Sequence, residues 1–361
     1  MDWQLVQRKM LDKAPWCNYT RKFSCADWRY AGTLTLFKKG LRKPERFYYN
    51  LDLEDGRHDD NGRVCIAQYS SGLRLANFYA PNNGWNEKSN FASRRDWDRR
   101  FLDFVSRCYQ EQRPLIIIGD LNVAHADADV THVEWFREQT GERTGKSWTQ
   151  TGDKVASSDK GQPGFTQNEQ TRFSEVLEKG HLIDTWRGLH PVDTAFEIGD
   201  PAWSWRGSEH QTDKYHARGM RIDYCLVSHS MRDRVQESTI IGKGVARKEG
   251  FCGSDHSPIF LKLLPDGADS TAPLPPHPTA ATTPAVTKSA AVAVSPLSLP
   301  HSSAGEDEKG AGASCGGGCA KDGTGVSSKD AGKGTGVTGG NVAVVDLTED
   351  ADDVGGEDGE G

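Results

Sequence analysis

The sequence predicts an α/β fold: two packed sheets flanked by helices, followed by a low-complexity tail. Three observations carry this. Strand-like and helix-like segments alternate through the first two thirds of the chain, with hairpins at intervals. One strand, "LIIIGD" at 115–120, is an uninterrupted aliphatic run, as expected of a strand covered on both faces. After about Leu264 the composition shifts to Pro, Ala, Ser, Thr and Gly, and the hydrophobic periodicity stops.

The elements follow in order. "AGTLTLFKKG" predicts a strand over 32–37. "GRVCIAQY" (62–69) and "LRLANFYAP" (73–81) predict a hairpin joined at Ser70-Ser71-Gly72. In "RRDWDRRFLDFVSRCYQE", Trp97, Phe101, Phe104, Val105 and Cys108 recur at helical spacing. Residues 141–163 are polar and Gly-rich, and read as a long loop. "TQNEQTRFSEVLEKGH" is a helix with Thr166 as N-cap, Glu169 completing a capping box and Gly180 at its end. "AWSWRG", "MRIDYCLVS" and "HSPIFLKLL" are the last strands. Residues 1–264 are thus expected to form one domain and 265–361 a disordered tail.

Charge divides at the same place. From Leu264 onward fifteen acids face five lysines, a net of −10; with −7 for the whole chain, residues 1–263 carry +3. A mildly basic domain is compatible with nucleic acid, although the placement of charge matters more than its sum. The eight cysteines contain no C-x-x-C pair and several sit in apolar contexts, which favours a reduced intracellular protein over a disulfide scaffold. Cys315 and Cys319 flank three glycines with no second pair of ligands nearby, so zinc is not expected. No apolar run reaches membrane-spanning length, and "MDWQLVQRKM" lacks the apolar core of a signal peptide.

Four strand ends carry polar groups that an ordinary strand would not need. They are "FYAPN" with Tyr79 and Asn82, "GDLNVAH" with Asp120, Asn122 and His125, "RIDY" with Asp223, and "GSDHSPI" with Asp255 and His256. Singly, each has an ordinary explanation. Asp120 and Asn122 suit an Asx turn, Asp223 suits a pair with Arg221, and His256 suits a satisfied core histidine. Together they resemble the endonuclease/exonuclease/phosphatase superfamily. Within it they resemble the exonuclease III type of apurinic/apyrimidinic (AP) endonuclease, with "GQPGFT" and "GMRIDY" most like plant and green-algal members. "YAPN", "GDLNVAH", "GFTQNEQTRF", "RIDY" and "GSDHSPI" stand in the family's order, and the resemblance covers roughly residues 25–263.

The resemblance implies metal-dependent hydrolysis of a phosphodiester 5′ to an abasic site in base excision repair, with 3′-phosphodiesterase or 3′–5′ exonuclease activity. By it, Asp120 orients or deprotonates the attacking water and Asn122 fixes it. His256 hydrogen-bonds the phosphate with Asp223 as its partner, and Tyr79 and Asn82 contact the phosphate. Asp120, Asn122, Asp255 and His256 form the implied set around Mg²⁺ or Mn²⁺. Trp203 and Met220 are implied to lie near the pocket for the extruded sugar, and Arg218 near DNA phosphates. Double-stranded abasic DNA is the implied partner, the protein a monomer, and its place the nucleus. Two other readings stay open: a superfamily phosphodiesterase acting on RNA or phospholipid, and a non-catalytic DNA-binding protein.

The family begins with a strand ending in Asn and a second ending in Gln-Glu, whose Glu is a metal ligand. Gln110-Glu111 and Gln236-Glu237 lie in other contexts, so the expectation is a sequence incomplete at its N-terminus, with an open sheet edge and weak nuclease activity. In the tail, "VAVVDLTEDADD" resembles a SUMO-interaction motif over 342–350: Val344, Val345, Asp346 and Leu347, then Thr348 and Glu349.

Overall fold

A computed structural model describes residues 11–25, 31–84, 91–139, 157–191, 203–243 and 249–265, and the backbone of 343–347. The chain divides into one unit of residues 1–277 with 338–361 and a second of 278–337; all described residues lie in the first. The expected loop lies partly outside them, since 140–156 are not described, and so do Cys315, Cys319, Thr348 and Glu349.

The main sheet has six strands: β3 (Arg46–Tyr48), β4 (Val64–Gln68), β5 (Arg74–Tyr79), β6 (Leu115–Asp120), β7 (Leu182–Asp184) and β10 (Asp223–Ser228). Their order is β3-β4-β5-β6-β10-β7, with only β5 and β6 parallel among these pairs. A second sheet orders β11 (Val235–Ile240), β12 (Ile259–Leu263) and β13 (Ala343–Leu347). Two small ribbons complete the set: β1 (Tyr19–Ser24) with β2 (Thr33–Lys38), and β8 (Trp205–Arg206) with β9 (Gly219–Met220). The helices are α1 (Ala92–Gln110), α2 (Val133–Arg137), α3 (Gln167–Lys179) and α4 (Thr185–Leu189).

β6 shows why its sequence is aliphatic throughout. Leu115 and Ile117 face one core with Phe78, Trp97, Phe101 and Phe104, against α1 and α3. Ile116 and Ile118 face the other core with Leu261 and Leu263 of the second sheet. Side chains alternate along a strand, so burial on both faces needs apolar residues at every position. The predicted sandwich with flanking helices is therefore the observed one.

Local signals fix the ends of α3. Thr166 Oγ1 accepts from the Glu169 amide while Glu169 Oε2 accepts from the Thr166 amide, as the capping-box spacing predicted. Gly180 does follow the helix, but in a right-handed conformation. Its lack of a side chain serves close packing, since a Cβ there would sit 2.9 Å from Val105 Cβ and from Val176 O. The left-handed residue is His181, with φ 48°.

The late strands are shorter than their sequence suggested. "AWSWRG" contributes only Trp205–Arg206, and "MRIDYCLVS" is interrupted between β9 and β10 at Arg221 and Ile222. There the Arg221 amide bonds Asp129 O instead of a ladder partner, and its side chain turns inward to two carboxylates. Buried ionic pairing overrides the strand pattern at that point.

Candidate active site

Sheet register assembles the site. Tyr79 ends β5 beside Asp120, which ends β6, and Asp223 opens β10 on the other side of Asp120. Three strands thus deliver a phenol, a carboxylate and a second carboxylate in one row. Gly119 makes the row possible: its φ is +128°, and a Cβ would lie 2.0 Å from Phe78 O. Only glycine tolerates that backbone approach.

After Asp120 the chain turns sharply. Asn122 adopts φ 50°, a region in which Asn is enriched. Its amide N–H donates to Asp120 Oδ1 at 2.8 Å, and its Nδ2 donates to Asp120 Oδ2 at 3.0 Å and to Ala80 O at 2.9 Å. Asn82 Nδ2 donates in turn to Asn122 Oδ1 at 3.0 Å. The Asx turn that Asp120 and Asn122 suit is therefore present.

His256 arrives from the loop before β12, with Nδ1 at 2.9 Å from Asp223 Oδ2. Burial disfavours the imidazolium, but Asp223 above all, then Asp120 and Asp255, outweigh it and raise His256 to about 10. Asp223 does not pair with Arg221. Arg221 is buried and reaches Asp129 at 2.8 Å and Asp184 at 2.7 Å, while Arg187 also bonds Asp129.

Tyr79, Asn82, Asp120, Asn122, Met220 and His256 line one cavity of about 200 Å³, closed further by Gln162, Pro163, Gly164, Trp205 and Ile222. Asp223 stands behind His256 instead of in the lining. Asp255 accepts from Trp205 Nε1 at 3.3 Å and borders a neighbouring cavity of about 220 Å³ with Arg206 and Tyr215. Trp203 packs against the second core, with the Arg206 guanidinium over its ring. Arg218 stacks on Trp135 at 4.0 Å and donates to His216 O. His125 turns away to Ser174 Oγ at 2.9 Å.

Three groups converge as a possible cation site: Asp120, Asp223 and His256 each offer one ligand atom, all within 4.8 Å of one another. The carboxylate oxygens suit a hard divalent ion and retain lone pairs beyond their present hydrogen bonds. His256 Nδ1 is committed to Asp223, so Nε2 is the ring nitrogen that remains for another partner.

Several residues that sequence reasoning missed hold these groups. Arg94 is buried on α1, pairs with Asp98 at 2.9 Å, and donates to Pro81 O at 2.9 Å and Asn122 O at 3.1 Å. It pins the loops after β5 and β6 together. Ser204 Oγ accepts from the amides of Ile222 and Asp223, and Ser204 O accepts from the Ser257 amide, tying β10 to the His256 loop. Glu169 joins its capping role to the site, since Oε2 also accepts from the Gly164 amide in the cavity wall. Burial pushes the Glu169 carboxyl up, against the lowering effect of Arg94 and Thr166. The strand and helix patterns do not mark Arg94, because it lies on the apolar face of α1 beside Trp97 and reads as a defect in that face.

The described free cysteines include buried Cys65, Cys108 and Cys225, each held as a thiol by burial. No described helix is long and apolar enough to cross a membrane.

Residues 1–256 match the endonuclease/exonuclease/phosphatase family model, and the chain belongs to that family. It is 40% identical over 259 residues to a DNA-(apurinic or apyrimidinic site) endonuclease of Arabidopsis thaliana, covering 72% of this chain and 66% of that one. It is 30% identical over 272 residues to the enzyme of the same name from Plasmodium berghei, covering 73% of this chain and 47% of that one. The chain therefore spans less than two thirds of each relative's length. Among solved structures, an AP endonuclease from Leishmania major aligns with TM-score 0.48 and 21% identity, over 66% of this chain and 68% of that one.

Proposed function

We propose that this chain hydrolyses a phosphodiester of duplex DNA beside an abasic site. The observation that carries the reading is the row Tyr79–Asp120–Asp223, in which Tyr79 and Asp120 line one cavity with His256 while Asp223 pairs with His256 from behind it. The relatives named for this activity support it.

Asp120 accepts the proton of the attacking water, and Asn122 holds that carboxylate in position through both its oxygens. His256, cationic because Asp223 outweighs the cost of burial, donates from Nε2 to a phosphate oxygen. Tyr79 and Asn82 approach the same phosphate from the β5 end and add donors without net charge. A divalent cation, Mg²⁺ or Mn²⁺, would be held by carboxylate oxygens of Asp120 and Asp223 and would neutralise charge on the phosphate; a protonated His256 has no lone pair to offer it, and Asp255 borders the neighbouring cavity. Met220, Ile222 and Trp205 give the cavity an apolar wall. A sugar without its base has already lost its stacking, so it enters such a recess at lower cost than an intact nucleotide. Trp203 and Arg218 are read as flanking DNA contacts, the protein as a monomer, and its place as the nucleus. Cleaning of 3′ ends would use the same groups.

The test is incision of an abasic duplex by the whole chain, against the same duplex with normal bases. Asp120→Asn and His256→Ala are expected to lower the rate about 10²- to 10⁴-fold each. Equal cleavage of both duplexes would point to a broader phosphodiesterase. Tight binding with no incision would point to the non-catalytic reading.

We also propose that Val344, Val345 and Leu347 form a SUMO-interaction motif. Its acids after Leu347 and its aliphatic run suit strand addition to a basic-flanked sheet edge. Unchanged binding to SUMO by Leu347→Ala would rule it out.

A further inference from the structure

Tyr79 is gripped by one residue at three places. Its amide donates to Arg63 O at 3.0 Å, and its own carbonyl accepts from Arg63 Nη1 at 3.0 Å. The Arg63 guanidinium also lies over its ring, 4.7 Å from the centroid. Arg63 stands just before β4, one residue beyond the end pair of the β4–β5 ladder, Val64↔Phe78. The turn ahead of it fixes that place. Asp59 Oδ2 accepts from the amides of Asn61 at 3.1 Å and Arg63 at 3.2 Å, and Gly62 takes φ 63°.

Strand pairing does not need this much. A ladder is made by backbone groups, whereas Arg63 also brings its side chain to the carbonyl and the ring of Tyr79. Arg63 is 4% exposed, so its charge acts on the ring with little water to screen it. A cation over a phenol is attracted to the negative face of the ring, which fixes the ring's direction. It also favours negative charge on the phenolic oxygen, which makes the hydroxyl a stronger donor. The ring so held belongs to the wall of the candidate catalytic cavity, beside Asp120.

We propose that Arg63 is a positioning residue for Tyr79: it sets the ring and strengthens the hydroxyl that donates to the phosphate. This rests on the reading of the cavity as a phosphodiester site. Arg63 is buried, so it acts through Tyr79 and not on the substrate. Lysine at this position would keep the charge but lacks the planar fork that meets a carbonyl and a ring together.

A double-mutant cycle on the full chain tests this. With an abasic duplex, Arg63→Met is expected to lower kcat about tenfold or more while KM changes less than about threefold, because the hydroxyl matters most as charge builds on the phosphate. Tyr79→Phe keeps the ring and removes the hydroxyl. In that background Arg63→Met should lower kcat by less than about twofold further. Arg63→Lys should show the same pattern at a smaller size, and it takes the place of Arg63→Met if that variant does not fold. Equal fold-losses in both backgrounds overturn the proposal, since a purely structural role does not depend on the hydroxyl. A second readout needs no incision. In NMR spectra of ring-labelled tyrosine, the Tyr79 signals of the metal-free protein should respond to inorganic phosphate, with a half-point about fivefold higher in Arg63→Met or Arg63→Lys. No response in the parent, or the same half-point in the variants, overturns the proposal. A parent that shows the response and the shift yet incises no abasic duplex would defeat the abasic-site reading alone.

Discussion

Asp223 Oδ2 and His256 Nδ1 lie 2.9 Å apart, joining the first residue of β10 to the loop that leads into β12. The pair couples the two sheets at the point where the chemistry is expected, and it sets the charge of the imidazole. Burial alone would lower the His256 pKa; Asp223, with Asp120 and Asp255, raises it to about 10. In the metal-free protein, NMR titration should therefore find His256 protonated at pH 8. In Asp223→Asn the imidazole should titrate near or below the ordinary value of about 6.5. Because the native value is the raised one, the pair's contribution to stability is full below about pH 6.5 and is lost as pH rises through about 10. A parent imidazole that titrates near 6.5 would contradict the assignment.

Gly119 is the tightest steric point of the site. Gly119→Ala places a methyl group where Phe78 O already lies 2.0 Å away, in a backbone region hostile to side chains. We expect a loss of about 3 kcal/mol or more in denaturant unfolding. A change below about 1 kcal/mol would show that β5 can retreat from β6.

Arg94 is expected to be essential for the fold and for the site together. Arg94→Met leaves Asp98 buried beside Arg172 alone and frees Pro81 O and Asn122 O. Breaking a buried pair in this way typically costs about 3–5 kcal/mol. Arg94→Lys keeps the charge but lacks the planar fork that reaches Asp98 and two carbonyls at once. It should fold better than Arg94→Met yet lose incision rate. Equal activity of parent and Arg94→Lys would remove Arg94 from the positioning network.

Asn122 separates backbone from side chain. Asn122→Gly accepts the φ of 50° without strain, whereas Asn122→Ala does not; both delete the amide that holds Asp120. Asn122→Gly should be the more stable of the two by about 1 kcal/mol. Both should incise at least tenfold more slowly than the parent, an expectation that parent-like rates in either variant would defeat.

Acid unfolding should report on Asp129. Burial opposes its charge, but Arg221 and Arg187 outweigh burial and hold its carboxyl below the ordinary range. Its contribution is therefore present above about pH 4 and is lost as pH falls through the lowered native value. Asp129→Asn should be destabilised at neutral pH, and the gap to the parent should narrow in acid. A gap that stays constant down to pH 2 would sink this account.

Much of the site was legible because each part is local. The aliphatic run that ends in Gly-Asp-x-Asn predicted a doubly covered strand with an Asx turn at its end, and both are present in β6 and Asn122. The capping box at Thr166 and Glu169 was equally local. The break at Arg221 was not legible, because its cause is a carboxylate from residue 129 and another from residue 184. Nor were Arg94 and Ser204, whose roles depend on backbone atoms brought together from separate loops.

The sequence by itself determined which residue types stand at the strand ends, where the helices start, and that one strand is buried on both faces. Those features follow from periodicity and short-range hydrogen bonding. The tertiary structure decided which ends meet: β5 and β10 set Tyr79 and Asp223 on either side of Asp120. It also decided that Ala343–Leu347 lies along β12, whereas the Asp223–His256 pair was already implied by the family resemblance. The reason is that strand pairing is chosen by the packing of two whole faces and by edges left open, and neither quantity exists in a single segment of chain.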